Sequence, residues 1–182
     1  MLMRVVSLFS LLLLCVATQA ASEIFMKVDG IPGDSTDDKH KNEIVLANYA
    51  YSFFQTGATS TGGGGGVGRL TVTPFTVTKF IDSSSPRLAL ACASGQHFRQ
   101  VDIVVREVSR DQVEFIKFKL EDVTITSFNA SFNKEYSANT APIEQVQLTF
   151  AVIEMSFIPV KADGSAGTEV KMRWDVRRNA PG

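Results

Sequence analysis

Two histidines in 182 residues leave few ways to build a metal cage or a histidine-dependent triad. His40 lies in the charged stretch Asp34 to Asn42 and reads as a solvated side chain in an exposed loop. His97 is better placed for chemistry, with Cys92 five residues before it and Asp102 five after it, an order that a thiolate nucleophile and its base could use. Cys92, however, falls near the C-terminal end of a short helix, where the macrodipole disfavours a thiolate. A small buried thiol is the simpler reading. Glu121, Asp122 and Glu144 are scattered among strand residues with no spacing that sets two carboxylates up for acid/base work, and they read as solvent-face charges. The unbroken row Gly62 to Gly66 resembles no phosphate cradle, because Gly68 is followed by Arg69 and Leu70 rather than by Lys and Ser or Thr. Arg177-Arg178 reads as soluble surface. The expectation is therefore no catalytic residue, no metal site and no cofactor.

The chain as a whole points the same way. A net charge of −1 and a pI near 6.1 give no basic excess for a phosphate backbone, which excludes a general nucleic-acid binder. At 19.8 kDa there is room for one domain with a real core. Arg4, then the apolar run Val5 to Val16, then Ala17, Thr18, Ala20 and Ala21 have the order of a secretory signal, cleaved after Ala20. The run is about a dozen residues, short of the roughly 20 that span a bilayer, so no stable membrane insertion is expected. A translation start at Met3 or Met26 is the other account of these residues. With residues 1–20 removed, Cys92 is the only cysteine and no intrachain disulfide can form. The domain, residues 21–182, must be held by its core and its partners.

The positioning elements read as strands. Glu23 to Val28 ends at the punctuated Asp29-Gly30-Ile31-Pro32-Gly33, and Ile44 to Phe54 reads as a second strand. Thr56 to Gly68 reads as a long flexible loop, since five consecutive glycines lose too much backbone entropy to hold a regular element. Leu70 and Val72 alternate on one parity and Phe75 and Val77 on the other, with Pro74 at the change, which predicts a bulged or kinked strand. Ser85 as cap, Pro86 at the first position, Leu88, Leu90 and Ala91 as apolar contacts and Gly95 as terminator predict one short helix. Strands follow around Val101 to Val105, Val113 to Ile125, Val146 to Val152 and Met172 to Val176, with Asn129 to Pro142 as a loop. Ser109-Arg110-Asp111 and Ala162-Asp163-Gly164 mark hairpins. The fold class expected is mainly β, a single small β-barrel of two packed antiparallel sheets with one short flanking helix, its core filled by many of the 13 phenylalanines.

Several segments together resemble the haemolysin-coregulated protein (Hcp) family, which forms the inner tube of the type VI secretion system. The resemblance runs from about Ile24 to Asn179. It rests on Phe25-x-Lys27 leading to Gly30-Ile-x-Gly33-Asp-Ser35, on the glycine row ending in Gly68-Arg69, and on Phe80-x-Asp82-x-x-Ser85-Pro-x-Leu88 running into Cys92-x-x-Gly95-x-His97. Lys161-Ala-Asp-Gly164 and Trp174-Asp175 followed by Arg177 extend it. The resemblance implies a structural subunit that closes into hexameric rings, which stack into a tube and carry small effector proteins, with the type VI spike and sheath proteins as further partners. It places the ring-stacking loop at Thr56, Gly62, Gly63, Gly64, Gly65, Gly66, Gly68 and Arg69. It also turns Ala50 toward the lumen, and strand alternation turns Asn48 and Ser52 with it. The signal peptide departs from this family, whose subunits assemble in the cytoplasm, so the alternative is an exported monomeric binding module or secreted effector of the same fold.

Overall fold

The computed structural model describes residues 22–55, 69–108, 112–132, 142–161 and 163–182, which form twelve strands and one helix. Strand β1 (Ser22–Val28) forms as expected and ends in a tight turn, with the Ile31 amide donating to the Val28 carbonyl at 3.1 Å. The single strand expected over Ile44 to Phe54 is three: β2 (Ile44–Leu46), β3 (Asn48–Ala50) and β4 (Phe53–Gln55). Its apolar residues change parity at Ala47, from Ile44 and Leu46 to Tyr49, Tyr51 and Phe53, because the chain there leaves β1 and crosses to a second layer. The Ala47 amide fixes the crossing by donating to the Thr78 carbonyl at 2.8 Å.

Strands β5 (Leu70–Val72) and β6 (Phe75–Phe80) flank Thr73-Pro74. Since β6 is bonded on both sides, Pro74 kinks the chain between strands and does not mark an edge. Helix α1 (Ser85–Ser94) starts one residue before the expected register: Ser84 is the capping position, and Ser85 lies inside the helix, its hydroxyl turned into the protein. Gly95 ends the helix in the left-handed conformation at φ 63°, as expected. Leu88 and Ala91 are buried, whereas Leu90, just over half a turn on from Leu88, is 67% exposed.

Strands β7 (His97–Glu107), β8 (Glu114–Ser131), β9 (Ile143–Thr149), β10 (Val152–Phe157), β11 (Val170–Asp175) and β12 (Ala180–Pro181) complete the chain. The stretch Val146 to Val152 is not one strand. It breaks at Phe150-Ala151, where the Ala151 amide donates to the Glu121 carbonyl, so that β9 and β10 pair with different halves of β8. The expected loop from Asn129 begins later, because β8 runs on to Ser131 against β9.

The topology follows from β8. Its first half pairs with β7 and β10, leading to β7-β1-β2 on one side and β10-β11-β12 on the other; its second half pairs with β9, leading to β9-β6-β3. All pairings are antiparallel. Asp122, at φ 54°, and a register shift between Ile125 and Ser127 bend β8 between its two roles. The expected class stands, a mainly β fold of packed antiparallel layers with one short helix; the arms of the ladder end on β2, β3 and β12, and β2 and β3 are joined through the chain at Ala47. Strands β4 and β5 form a separate ribbon.

One core lies between the layers. Met26, Ile44, Ile103 and Leu120 meet Phe75, Val77, Val146 and Leu148, with Leu88 and Ala91 of the helix closing one side. Its centre is aromatic: Phe75 stacks on Tyr51 at 5.3 Å between centroids and meets Phe118 edge-on at 5.2 Å. Each such side chain contributes about 1.5–3 kcal/mol by leaving water, and among the described residues the one cysteine, Cys92, is a free thiol. Burial pushes the Tyr49 and Tyr51 hydroxyls to higher pKa.

Candidate functional site

The residues that could do chemistry are not assembled for it. His97 is exposed and its Nε2 lies 3.8 Å from Asp122; Cys92 is half-buried and packs on the core; Asp102 is held by the Gln100 amide. His40, expected in solvent, is buried. Its ring stacks on Phe25 at 4.2 Å and its Nδ1 lies 2.9 Å from Glu43 Oε2. The Asp34 to Asn42 segment is therefore a clip packed against the sheet. Asp37 on this clip and Glu23 on β1 both accept from Arg106 Nη2, at 2.7 and 2.5 Å, and the buried guanidinium also lies over the Phe25 ring. The hydrogen bond from Arg106 holds the Asp37 carboxyl well below the usual range, and Asp37 in turn raises Arg106. Among the described residues no group of three or more His, Cys, Asp or Glu side chains is placed to hold a metal ion.

A second internal ion pair corrects the reading of Glu144 as a surface charge. Lys79 on β6 and Glu144 on β9 are paired in register, both buried, with Nζ to Oε2 2.9 Å. Lys79 also donates to the Phe80 carbonyl and to Ser85 Oγ and lies 2.7 Å from Asp82, while Ser85 Oγ donates to Glu144 at 2.6 Å. The first turn of α1 is thereby tied to two strands. Sequence reading could not find these partners, because 65 residues separate the lysine from the glutamate.

What remains is surface, and it is divided sharply. The outward side of β1, β7, the first half of β8, β10 and β11 carries the cross-strand row Lys27, Asp102, Lys119, Glu154, Arg173, which alternates in sign over five strands. Arg173 donates to both oxygens of Glu121 at 3.0 Å, which lowers the Glu121 carboxyl. A shallow groove of about 350 Å³ crosses this face between Asp102, Lys117, Lys119, Glu154 and Lys171. Exposed pairs of this kind contribute about 0–1 kcal/mol each, so the row is a solvated wall.

The outward side of β3, β6, β9 and the second half of β8 is different. One row is Asn48, Thr78, Gln145, Asn129; the next is Ala50, Thr76, Gln147, Ser127. A third, Phe80, Ile143, Ser131, borders them. Of the sequence-predicted residues, Asn48 and Ala50 share this face and Ser52, also exposed, follows on the same parity. The members from β6, β8 and β9 were not named from the sequence, though Phe75-Thr-Val-Thr and Gln145 to Thr149 both alternate apolar with uncharged polar side chains, which was the available signal. Arg69 is exposed just before β5; the other ring-stacking positions, Thr56 and Gly62 to Gly68, lie outside the described residues, as do residues 1–21 and Ser109 to Asp111.

The charged face and the neutral polar face belong to one mainly β scaffold of antiparallel strands with a single short helix among the described residues. Residues 25–157 match the family described as "Type VI secretion system effector, Hcp", and the chain belongs to that family. Protein hcp1 of Pseudomonas aeruginosa is 34% identical over 161 residues, spanning 87% of this chain and 98% of that protein. Among solved structures, Hcp1 from Salmonella typhimurium is 29% identical with a TM-score of 0.73, covering 90% of this chain and all of that one. A structure of a type six secretion system protein is 25% identical with a TM-score of 0.83, over 89% of this chain and all of that one. The chain is thus a type VI secretion protein of a secreted family.

Proposed function

We propose that copies of this chain close into hexameric rings, that the rings stack into the inner tube of a type VI secretion system, and that small effector proteins travel in the lumen beside the tube's spike and sheath partners. The observation that carries this reading is family membership over nearly the whole domain, residues 25–157. The exposed Asn48, Ala50 and Ser52 support a lumenal side, and Thr56 to Arg69 supplies the stacking loop. Ring closure joins one surface to a different surface of the next copy, a contact that closes laterally while stacking extends without limit. N-terminal sequencing of the native protein decides how residues 1–20 fit this proposal: a start at Ala21 means Sec export and leaves rings without the usual tube machinery, whereas a start at Met3 or Met26 keeps cytoplasmic assembly of the tube.

Native mass spectrometry tests the assembly. The expected species has six times the protomer mass; a clean monomer at high micromolar concentration refutes it.

A further inference from the structure

Solvent-facing sheet surfaces ordinarily carry lysine and glutamate, because charged side chains are almost never fully buried unless paired. The β3-β6-β9-β8 layer inverts that rule. β3, β6, β9 and the second half of β8, from Thr124 on, hold only two charged side chains, Lys79 and Glu144; both point inward, stand opposite each other and neutralise one another at 2.9 Å. Every outward position is uncharged: Asn48, Ala50, Thr76, Thr78, Gln145, Gln147, Ser127 and Asn129 in the two central rows. The other layer of the same chain, with its Lys27 to Arg173 row, shows that neutrality is not a property of the composition as a whole.

We infer that this neutral polar face is a charge-blind docking wall for small folded proteins, one that holds its cargo by amide and hydroxyl hydrogen bonds and close contact without selecting for sign. The inference rests on the lumenal reading of Ala50 and deepens it by naming the chemistry of the cargo surface: uncharged polar, presented by proteins of either net charge. Neutral donors and acceptors on Asn, Gln, Thr and Ser can each pair with a backbone amide or a polar side chain of many partners. A charged wall would instead repel half of all cargoes and bind the other half in a salt-dependent way. Four strands at a spacing of about 4.8 Å make the wall roughly 15–20 Å across, the width of a small domain's contact area.

The test uses the full assembled protein and two forms of one small helical-bundle probe, differing only in surface charge, near −6 and near +6. Co-elution with the assembly is measured at about 50 mM and about 500 mM salt. Retention of both probes within about twofold of each other, unchanged by salt, supports the inference. The double variant Thr76→Glu/Gln147→Glu, whose positions are outside the core, should then favour the cationic probe several-fold at low salt and lose that preference at high salt. Wild-type protein that prefers one probe tenfold, releases both with salt, or retains neither overturns it, as does retention of a neutral oligosaccharide with no retention of protein. Sedimentation on the same samples separates the two readings: a protomer-sized species that still retains both probes sinks the ring and leaves the wall, and a hexamer that sorts probes by charge does the reverse.

Discussion

Replacing Lys79 by methionine keeps the length and apolar stem of the side chain and removes only its ammonium. Lys79 is fully buried and Glu144 is 2% exposed, so the carboxylate would be left in the interior without its cation. Breaking a buried pair by deleting one partner costs about 3–5 kcal/mol, and here the ammonium also serves Ser85 and the Phe80 carbonyl, which places the expected loss at the upper end. For a domain of this size about 1 kcal/mol corresponds to roughly 2–4 °C, so thermal unfolding should fall by about 10–20 °C. The double variant Lys79→Met/Glu144→Leu replaces both charges by apolar groups of similar volume and should recover most of that loss, since a pair's desolvation nearly offsets its attraction. Denaturant unfolding of wild type, both singles and the double gives the coupling directly. A Lys79→Met loss below about 1 kcal/mol, or a double variant less stable than either single, would refute the argument that the charges exist to cancel one another.

The remaining expectations concern the clip and the assembly. Asp37 is held below its ordinary pKa by Arg106, so its contribution is fully present above about pH 4 and is lost as pH falls further, toward the depressed value. Wild type should therefore exceed Asp37→Asn in melting temperature by a constant margin from pH 5 to 7, and the margin should shrink below pH 4; a margin independent of pH would count against the assignment. Gly33→Ala would bring a Cβ to 2.5 Å from the Glu43 carbonyl and 2.6 Å from Ile44 Cα, both backbone, and should cost about 1–3 kcal/mol in denaturant unfolding. In native mass spectrometry, the hexamer expected of wild type should persist in Thr76→Glu/Gln147→Glu, whose side chains take no part in the core.

Strands with regular alternation were legible because burial on one face forces a period of two: β1, β6, β7 and β11 fall close to where Glu23 to Val28, Phe75 to Val77, Val101 to Val105 and Met172 to Val176 placed them. The failures have physical reasons. Ile44 to Phe54 holds two strand phases in one apolar stretch, and only the second layer explains the change at Ala47. The end of β8 from Asn129 looked like loop because Asn129 and Ser131 are polar, yet Asn129 faces outward from a strand whose Ile125 and Phe128 pack on the core. Glu144 and His40 read as solvated because isolated charges usually are, and the Lys79 ammonium and the Phe25 ring that meet them come from other strands. Asn48 and Ala50 on β3 could be named from the family resemblance; their neighbours on the same face needed the register that brings Thr76, Gln147 and Ser127 into one row.

Strand β8 serves both layers without a break in the peptide. In mechanical terms it is a beam shared by two panels: its first half is hydrogen-bonded along both edges, and its second half carries the neutral wall. The two panels meet at the bend from Asp122 to Ser127, where Thr124 is paired with β7 on one edge and β9 on the other. In the stacked tube proposed for this subunit, thrust would cross from one layer to the other through this single strand.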